Sequence, residues 1–138
     1  MGEVIVYATM VADLFHRGHL ELIKKAKAKG DYLIIGLHPD AVASKYKRTP
    51  TFLYKDRKKI IESIKEVDLV VRDCKYYNEP TTISNLKKHN VDLLVHGNDY
   101  LPPSYIKAKK LGYTVLQVPY YKRVSSTKYV EEIRRGSE

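Results

Sequence analysis

The stretch VIVYATMVADLFHRGHLELIKKAKAK, residues 4–29, decides the fold. Val4 to Ala8 is an unbroken apolar run of strand length, and the absence of polar alternation reads as a strand buried on both faces. The period then changes. Leu20, Ile23, Ala26 and Lys27 recur at helical spacing over Leu20 to Lys29, and Gly30 stops the helix. Strand, polar loop and helix in this order form the first part of a βαβ unit, whose strands pair parallel.

The alternation continues along the chain. Tyr32 to Leu37 reads as a second strand, followed by a basic, proline-bearing loop from Ser44 to Leu53. Asp56 to Lys65 reads as a helix with Ile60, Ile61 and Ile64 facing inward. Asp68 to Arg72 is a third strand, Thr82 to His89 a helix, and Asp92 to His96 a fourth strand closed by Gly97. Pro102-Pro103-Ser104 opens another helix, because proline is tolerated in a first turn, and Gly112 ends it. Thr114 to Val118 is a fifth strand, and Ser125 to Arg135 a last helix with Ser125 or Ser126 as its N-cap. This order predicts an α/β fold: an open, doubly wound parallel sheet of about five strands flanked by helices. Such sheets take ligands beyond the carboxyl ends of their strands, where the strand order reverses.

The 138 residues carry no repeat, low-complexity tract or linker, which predicts a single domain over residues 1–138. A lone cysteine, Cys74, excludes an internal disulfide and a cysteine-built metal site, and fits a reducing compartment. No apolar run reaches membrane-spanning length and the N-terminus is too polar for a signal peptide, so a cytoplasmic protein with no membrane partner is expected. The net charge of +9 fits either a nucleic-acid surface or solvated helix faces around a site for small polyanions. Basic residues are scattered along lysine-rich helices, and no nucleic-acid reading module is present, so no nucleic-acid partner is expected.

Four segments carry chemistry, each at the carboxyl end of a predicted strand or in the loop beyond it. Asp13-Leu-Phe-His16-Arg17-Gly18-His19 opens the first helix, where unpaired N–H groups and the helix dipole suit phosphate, and Gly18 permits close approach. Imidazoles at His16 and His19 can aim donors at the charge that builds on phosphorus. The plainer alternatives are a pair of capping or surface histidines, or a zinc pair, for which no further ligand cluster appears. Lys45-Tyr46-Lys47-Arg48 supplies cations after strand two, or merely a solvated loop. His96-Gly97-Asn98-Asp99 ends strand four and also has turn-forming composition. Arg123-Val124-Ser125-Ser126-Thr127-Lys128 follows strand five, as a phosphate site or as an ordinary capped helix.

Taken in order, His16-x-Gly18-His19, Arg57, His96-Gly97-x-Asp99 and Ser125-Ser126-Thr127 resemble the cytidylyltransferase family of the HxGH nucleotidyltransferase superfamily, from Val4 to about Ile133. Within it the chain is similar to the glycerol-3-phosphate cytidylyltransferases. Through Met10-x-Ala12-Asp13, Asp40 to Ser44 and Val118-Pro-Tyr120 it leans toward enzymes of the 2-aminoethylphosphonate type. The resemblance implies a Rossmann-like sheet, a homodimer, and transfer of CMP from CTP to a small phospho-alcohol or phosphonate with release of pyrophosphate. It implies catalytic roles for His16, His19, Lys47 and Arg57, with Arg57 meeting phosphate or bracing the loop. Met10, Val11, Gly18, His96, Gly97, Asp99, Ser125, Ser126 and Thr127 would bind the nucleotide. Asp13, Lys45, Arg48 and Arg123 would meet the acceptor or its phosphate. No protein metal site is implied, and Mg2+ would arrive with CTP. Asn98 replaces a second carboxylate, Met10 fills a position that is often glycine, and Tyr120-Tyr121-Lys122-Arg123 replaces Arg-Thr-x-Gly. Two alternatives share the loop: an adenylyltransferase using ATP, and a non-catalytic nucleotide-binding domain. The Ser125–Thr127 block favours the CTP branch.

Overall fold

In the computed structural model of the chain, which describes residues 2–40, 50–73, 81–119, 121 and 126–136, the first apolar run is strand β1 (Ile5–Met10). It is followed by α1 (Arg17–Lys27), β2 (Tyr32–Leu37), α2 (Tyr54–Glu62), β3 (Leu69–Arg72), α3 (Thr81–Lys88), β4 (Leu93–Gly97), α4 (Pro103–Lys110), β5 (Thr114–Val118) and α5 (Ser126–Gly136). The strands form one parallel sheet, as the alternation of apolar runs and helices predicts, and their order is β3-β2-β1-β4-β5.

The sheet is covered on both faces, which is why its central strands show no polar alternation. Val6, Ala8 and Met10 of β1 pack with Ile23 and Ala26 of α1 and Ile61 of α2. Tyr7 points to the opposite face, with Ile34, Leu94, Ile83 and Leu86 of α3, and Tyr105 and Ala108 of α4. Each such Leu or Ile, fully buried, contributes roughly 1.5–3 kcal/mol. Strand β5 forms an edge and leaves Thr114, Leu116 and Gln117 exposed.

Several element ends differ from the sequence pattern for local reasons. Helix α1 starts at Arg17 rather than Leu20, because His16 caps it. Helix α2 starts at Tyr54 and stops at Glu62, where Ser63 turns its hydroxyl onto the Ile60 carbonyl at 2.6 Å. Of Ile60, Ile61 and Ile64 only Ile61 is fully buried. Cys74 lies outside the described residues, as does the basic loop from Ser44 to Thr49.

A polar knot sits inside the apolar layer beneath α3. The Tyr7 hydroxyl donates to the fully buried Asp73 carboxylate, and Thr82 Oγ1 donates to the same group at 2.8 Å. Burial and the Asp73 charge push the Tyr7 phenol far above its ordinary range, so it remains a neutral donor. Gly36 makes room for this arrangement, since a Cβ there would collide with the Tyr7 ring.

The pairing on the two sides of β1 is unequal. Its register with β2 runs the full strand, from Ile5↔Tyr32 to Met10↔Leu37. With β4 it pairs only at Val6↔Leu93 and Tyr7↔Leu94. Past that point the sheet parts, and this is also where the strand order reverses.

Candidate active site

A cleft of about 170 Å³ opens where β1 and β4 separate. Thr9 to Ala12 form its floor, and His16, Gly18, His19 and Leu22 form one wall. His96, Gly97 and Asp99 face them, and Pro119, Tyr121 and Ser126 close the far side. Segments distant in the chain therefore meet at the carboxyl ends of the strands, where an open α/β sheet takes its ligand.

The paired imidazoles cap the helix and also line the cleft. His16 is the N-cap of α1, and its Nδ1 accepts the Gly18 N–H at 2.9 Å. His19 Nδ1 accepts the His16 N–H at 3.1 Å, so two donors of the helix start are satisfied by imidazole nitrogens. A ring nitrogen that accepts an N–H carries no proton, so each neutral ring holds its proton on Nε2. Both rings line the cleft and stack with centroids 3.9 Å apart, presenting Nε2–H donors from the opposite ring edge. Tyr129 of α5 packs edge-on against His16 at 5.7 Å.

The loop between β1 and α1 is strained. Ala12 and Leu14 adopt left-handed backbone (φ 55° and 51°), although neither is glycine. Its braces come from other segments. The Asp13 carboxylate accepts the Thr51 N–H at 2.7 Å and the Phe52 N–H at 2.8 Å, and its carbonyl accepts the Ser126 hydroxyl. Arg57 is fully buried and donates to the carbonyls of Phe52 (2.9 Å), Val11 (2.7 Å) and His38 (2.9 Å), and to Asp40 at 2.7 Å. Two expected residues have partners within the protein. Asp13, expected to meet the acceptor or its phosphate, is 3% exposed and holds the 51–52 backbone. Arg57, expected to meet phosphate or to brace the loop, braces the carboxyl ends of β1 and β2, because three backbone carbonyls and a carboxylate surround its guanidinium.

The other expected residues divide. Met10, Val11, Gly18, His96, Gly97, Asp99 and Ser126 line the same cleft as the imidazoles. Thr127 is exposed and is not among the lining residues. Lys45, Lys47, Arg48, Arg123 and Ser125 lie outside the described residues. Thr9, Leu22, Pro119 and Tyr121 also line the cleft and were not singled out from sequence. Arg17 lies over the Tyr121 ring at 5.4 Å and pairs with Glu21 at 3.3 Å, tying the start of α1 to the segment after β5. Among the described residues no group of three His, Cys, Asp or Glu side chains gathers to hold a metal, and no helix is long and apolar enough to cross a membrane.

The family model described as cytidylyltransferase-like matches residues 11–132, which covers the loop after β1, the imidazoles and strand β4 of the cleft. The chain belongs to this family. Ethanolamine-phosphate cytidylyltransferase of Mus musculus is 45% identical over 87 residues, 63% of this chain, which spans about a fifth (21%) of that protein's length. Glycerol-3-phosphate cytidylyltransferase of Bacillus subtilis is 32% identical over 133 residues, covering 96% of this chain and 98% of the relative. Among solved structures, the lipopolysaccharide core biosynthesis protein of Thermoplasma volcanium superposes with a TM-score of 0.74 at 25% identity, over 88% of this chain and 100% of that one. A cytidylyltransferase-like chain thus places its paired imidazoles, its β4 turn and the first serine of α5 around one cavity.

Proposed function

We propose that the chain transfers CMP from CTP to a small alcohol bearing a phosphate or phosphonate group, releasing pyrophosphate. The observation that carries this is the pair of imidazoles whose Nδ1 atoms are tied to the helix backbone while both rings line the cleft. Fixed in this way, two Nε2–H donors face a polyanion without reorganising, which is the form electrostatic catalysis takes in phosphoryl-type transfer.

In the reaction, an oxygen of the acceptor's phosphate or phosphonate attacks the α-phosphorus of CTP. A new P–O bond forms, the bond to the β-phosphate oxygen breaks, and pyrophosphate leaves with the electron pair. His16 and His19 donate to the reacting phosphate oxygens. Met10, Val11, Gly18 and Ser126, which line the cleft, offer backbone and hydroxyl groups to the triphosphate, and His96, Gly97 and Asp99, which also line it, take the nucleoside. Lys47, with Lys45 or Arg48, holds acceptor or triphosphate, Arg123 offsets phosphate charge, and Ser125 and Thr127 offer hydroxyls to the triphosphate. No covalent nucleophile is required, because holding two anions in line accounts for much of the barrier.

Mg2+ is carried chiefly by the nucleotide. Asp13 is committed to the 51–52 backbone, and among the described residues Glu21 and Asp99 are the carboxylates lining the cleft, a sparse set that suits an ion keeping phosphate oxygens and water as ligands. The chemistry the ion supplies is neutralisation of phosphate charge. A homodimer in a reducing, cytoplasmic setting completes the proposal, and light scattering tests the oligomer.

The activity is tested by pyrophosphate release with CTP and ATP in parallel, against ethanolamine phosphate, glycerol 3-phosphate and 2-aminoethylphosphonate. Release with CTP and at least one acceptor is expected. Release with ATP in preference to CTP, or with neither nucleotide, would refute the proposal.

A further inference from the structure

Tyr105 of α4 reaches through the sheet face to the point where β1 and β4 part. It is fully buried, and its hydroxyl accepts the Thr9 N–H at 2.9 Å and the Thr9 hydroxyl at 3.2 Å. The same hydroxyl donates to the Val95 carbonyl at 3.1 Å, so its one proton and both lone pairs are engaged.

The register shows what this atom replaces. In a parallel ladder, an N–H donates to the carbonyl of the residue preceding its partner. Val6↔Leu93 and Tyr7↔Leu94, carried two steps on, would oppose Thr9 to His96 and send the Thr9 N–H to the Val95 carbonyl. Those are the two groups that the Tyr105 hydroxyl joins. One oxygen stands inside a ladder bond and holds the strands a hydroxyl's width apart. The Tyr105 ring also supports the His96 imidazole edge-on, at 5.3 Å between centroids.

We propose that Tyr105 is a positioning residue: its inserted hydroxyl sets the separation of β1 and β4, and with it the distance across the nucleotide cleft between Thr9–Val11 and His96–Gly97. The inference rests on the CTP-dependent function proposed above. Tyr105 itself touches no reacting atom. It acts through Thr9, Val95 and His96, of which Thr9 and His96 line the cleft.

Tyr105→Phe removes a single oxygen and leaves the ring packing in place. With the spacer gone, the Thr9 N–H closes onto the Val95 carbonyl, and the NOE between the Thr9 amide proton and the α-proton of His96, its register partner, absent from the wild type, appears. At a temperature well below melting, the KM for CTP rises about tenfold, the equivalent of one net hydrogen bond, while kcat changes less. A tyrosine that only packs the core would lower the melting temperature and leave KM unchanged. An unchanged KM in a folded variant, or the same NOE already present in the wild type, overturns the proposal. Absence of CTP turnover in the wild-type chain would instead overturn the functional proposal, and this inference with it.

Discussion

Replacing Arg57 separates bracing from catalysis. Its guanidinium is 0% exposed and makes four hydrogen bonds, to three backbone carbonyls and to Asp40. Asp40 is 40% exposed, so water takes over much of that pair when the cation is removed. The carbonyls of Phe52, Val11 and His38 lie deeper and lose a charged donor. Stranded buried acceptors cost about 1–3 kcal/mol each before relaxation, and breaking a buried ionic node costs about 3–5 kcal/mol. For Arg57→Leu we expect a loss of about 4 kcal/mol, or a shift of about 2 M in the urea midpoint. Arg57→Lys keeps the charge but not the planar fork, and should lose about half as much. The assay is urea unfolding followed by circular dichroism, paired with CTP kinetics on each folded variant. Arg57→Leu with a wild-type midpoint and abolished kcat would refute the bracing role and return Arg57 to the phosphate.

Three other perturbations follow from the same geometry. His16→Asn keeps a side chain that caps well but removes the Nε2–H, so the melting temperature should hold while kcat falls by about 10²–10³, a larger loss than in CTP affinity. Equal losses in the two constants would indicate plain binding. Asp13→Ala frees the Thr51 and Phe52 amides, and should lower stability by about 2 kcal/mol and speed hydrogen exchange at those two positions. Burial lowers the pKa of His38 against the opposing pull of Asp73. The unfolded chain therefore takes up this proton first as pH falls. Stability from His38 is complete above about pH 6.5 and declines below it, so His38→Gln should flatten the melting temperature between about pH 7 and pH 5.

The fold was legible because the central strands are buried on both faces and announce themselves as apolar runs, and each helix shows as a change of period. Parallel pairing followed from that alternation, whereas the strand order is visible only in the folded chain. Helix starts were less legible: α1 is capped by histidine, a residue outside the usual Ser, Thr, Asp and Asn set, so its true start at Arg17 was concealed. The cleft's imidazoles, the His96–Asp99 turn and Ser126 were legible because residue types suited to anions stood at strand ends. The partners of Arg57 and Asp13 were hidden for one shared reason. A charged residue near a phosphate motif looks like a ligand, and only the folded loops reveal that its partners are backbone groups. Tyr105 left no trace in the sequence, because its role depends on the β1–β4 register rather than on any motif.

Whether the imidazole pair receives the nucleotide is tested most directly by titrating CTP with Mg2+ into the 15N-histidine-labelled chain. Before CTP is added, the ring signals of His16 and His19 should be those of neutral, Nε2-protonated imidazoles, and both Nε2 resonances should move as CTP saturates. Resonances at His16 and His19 that stay unmoved at saturating CTP, or rings carrying the proton on Nδ1, would contradict it.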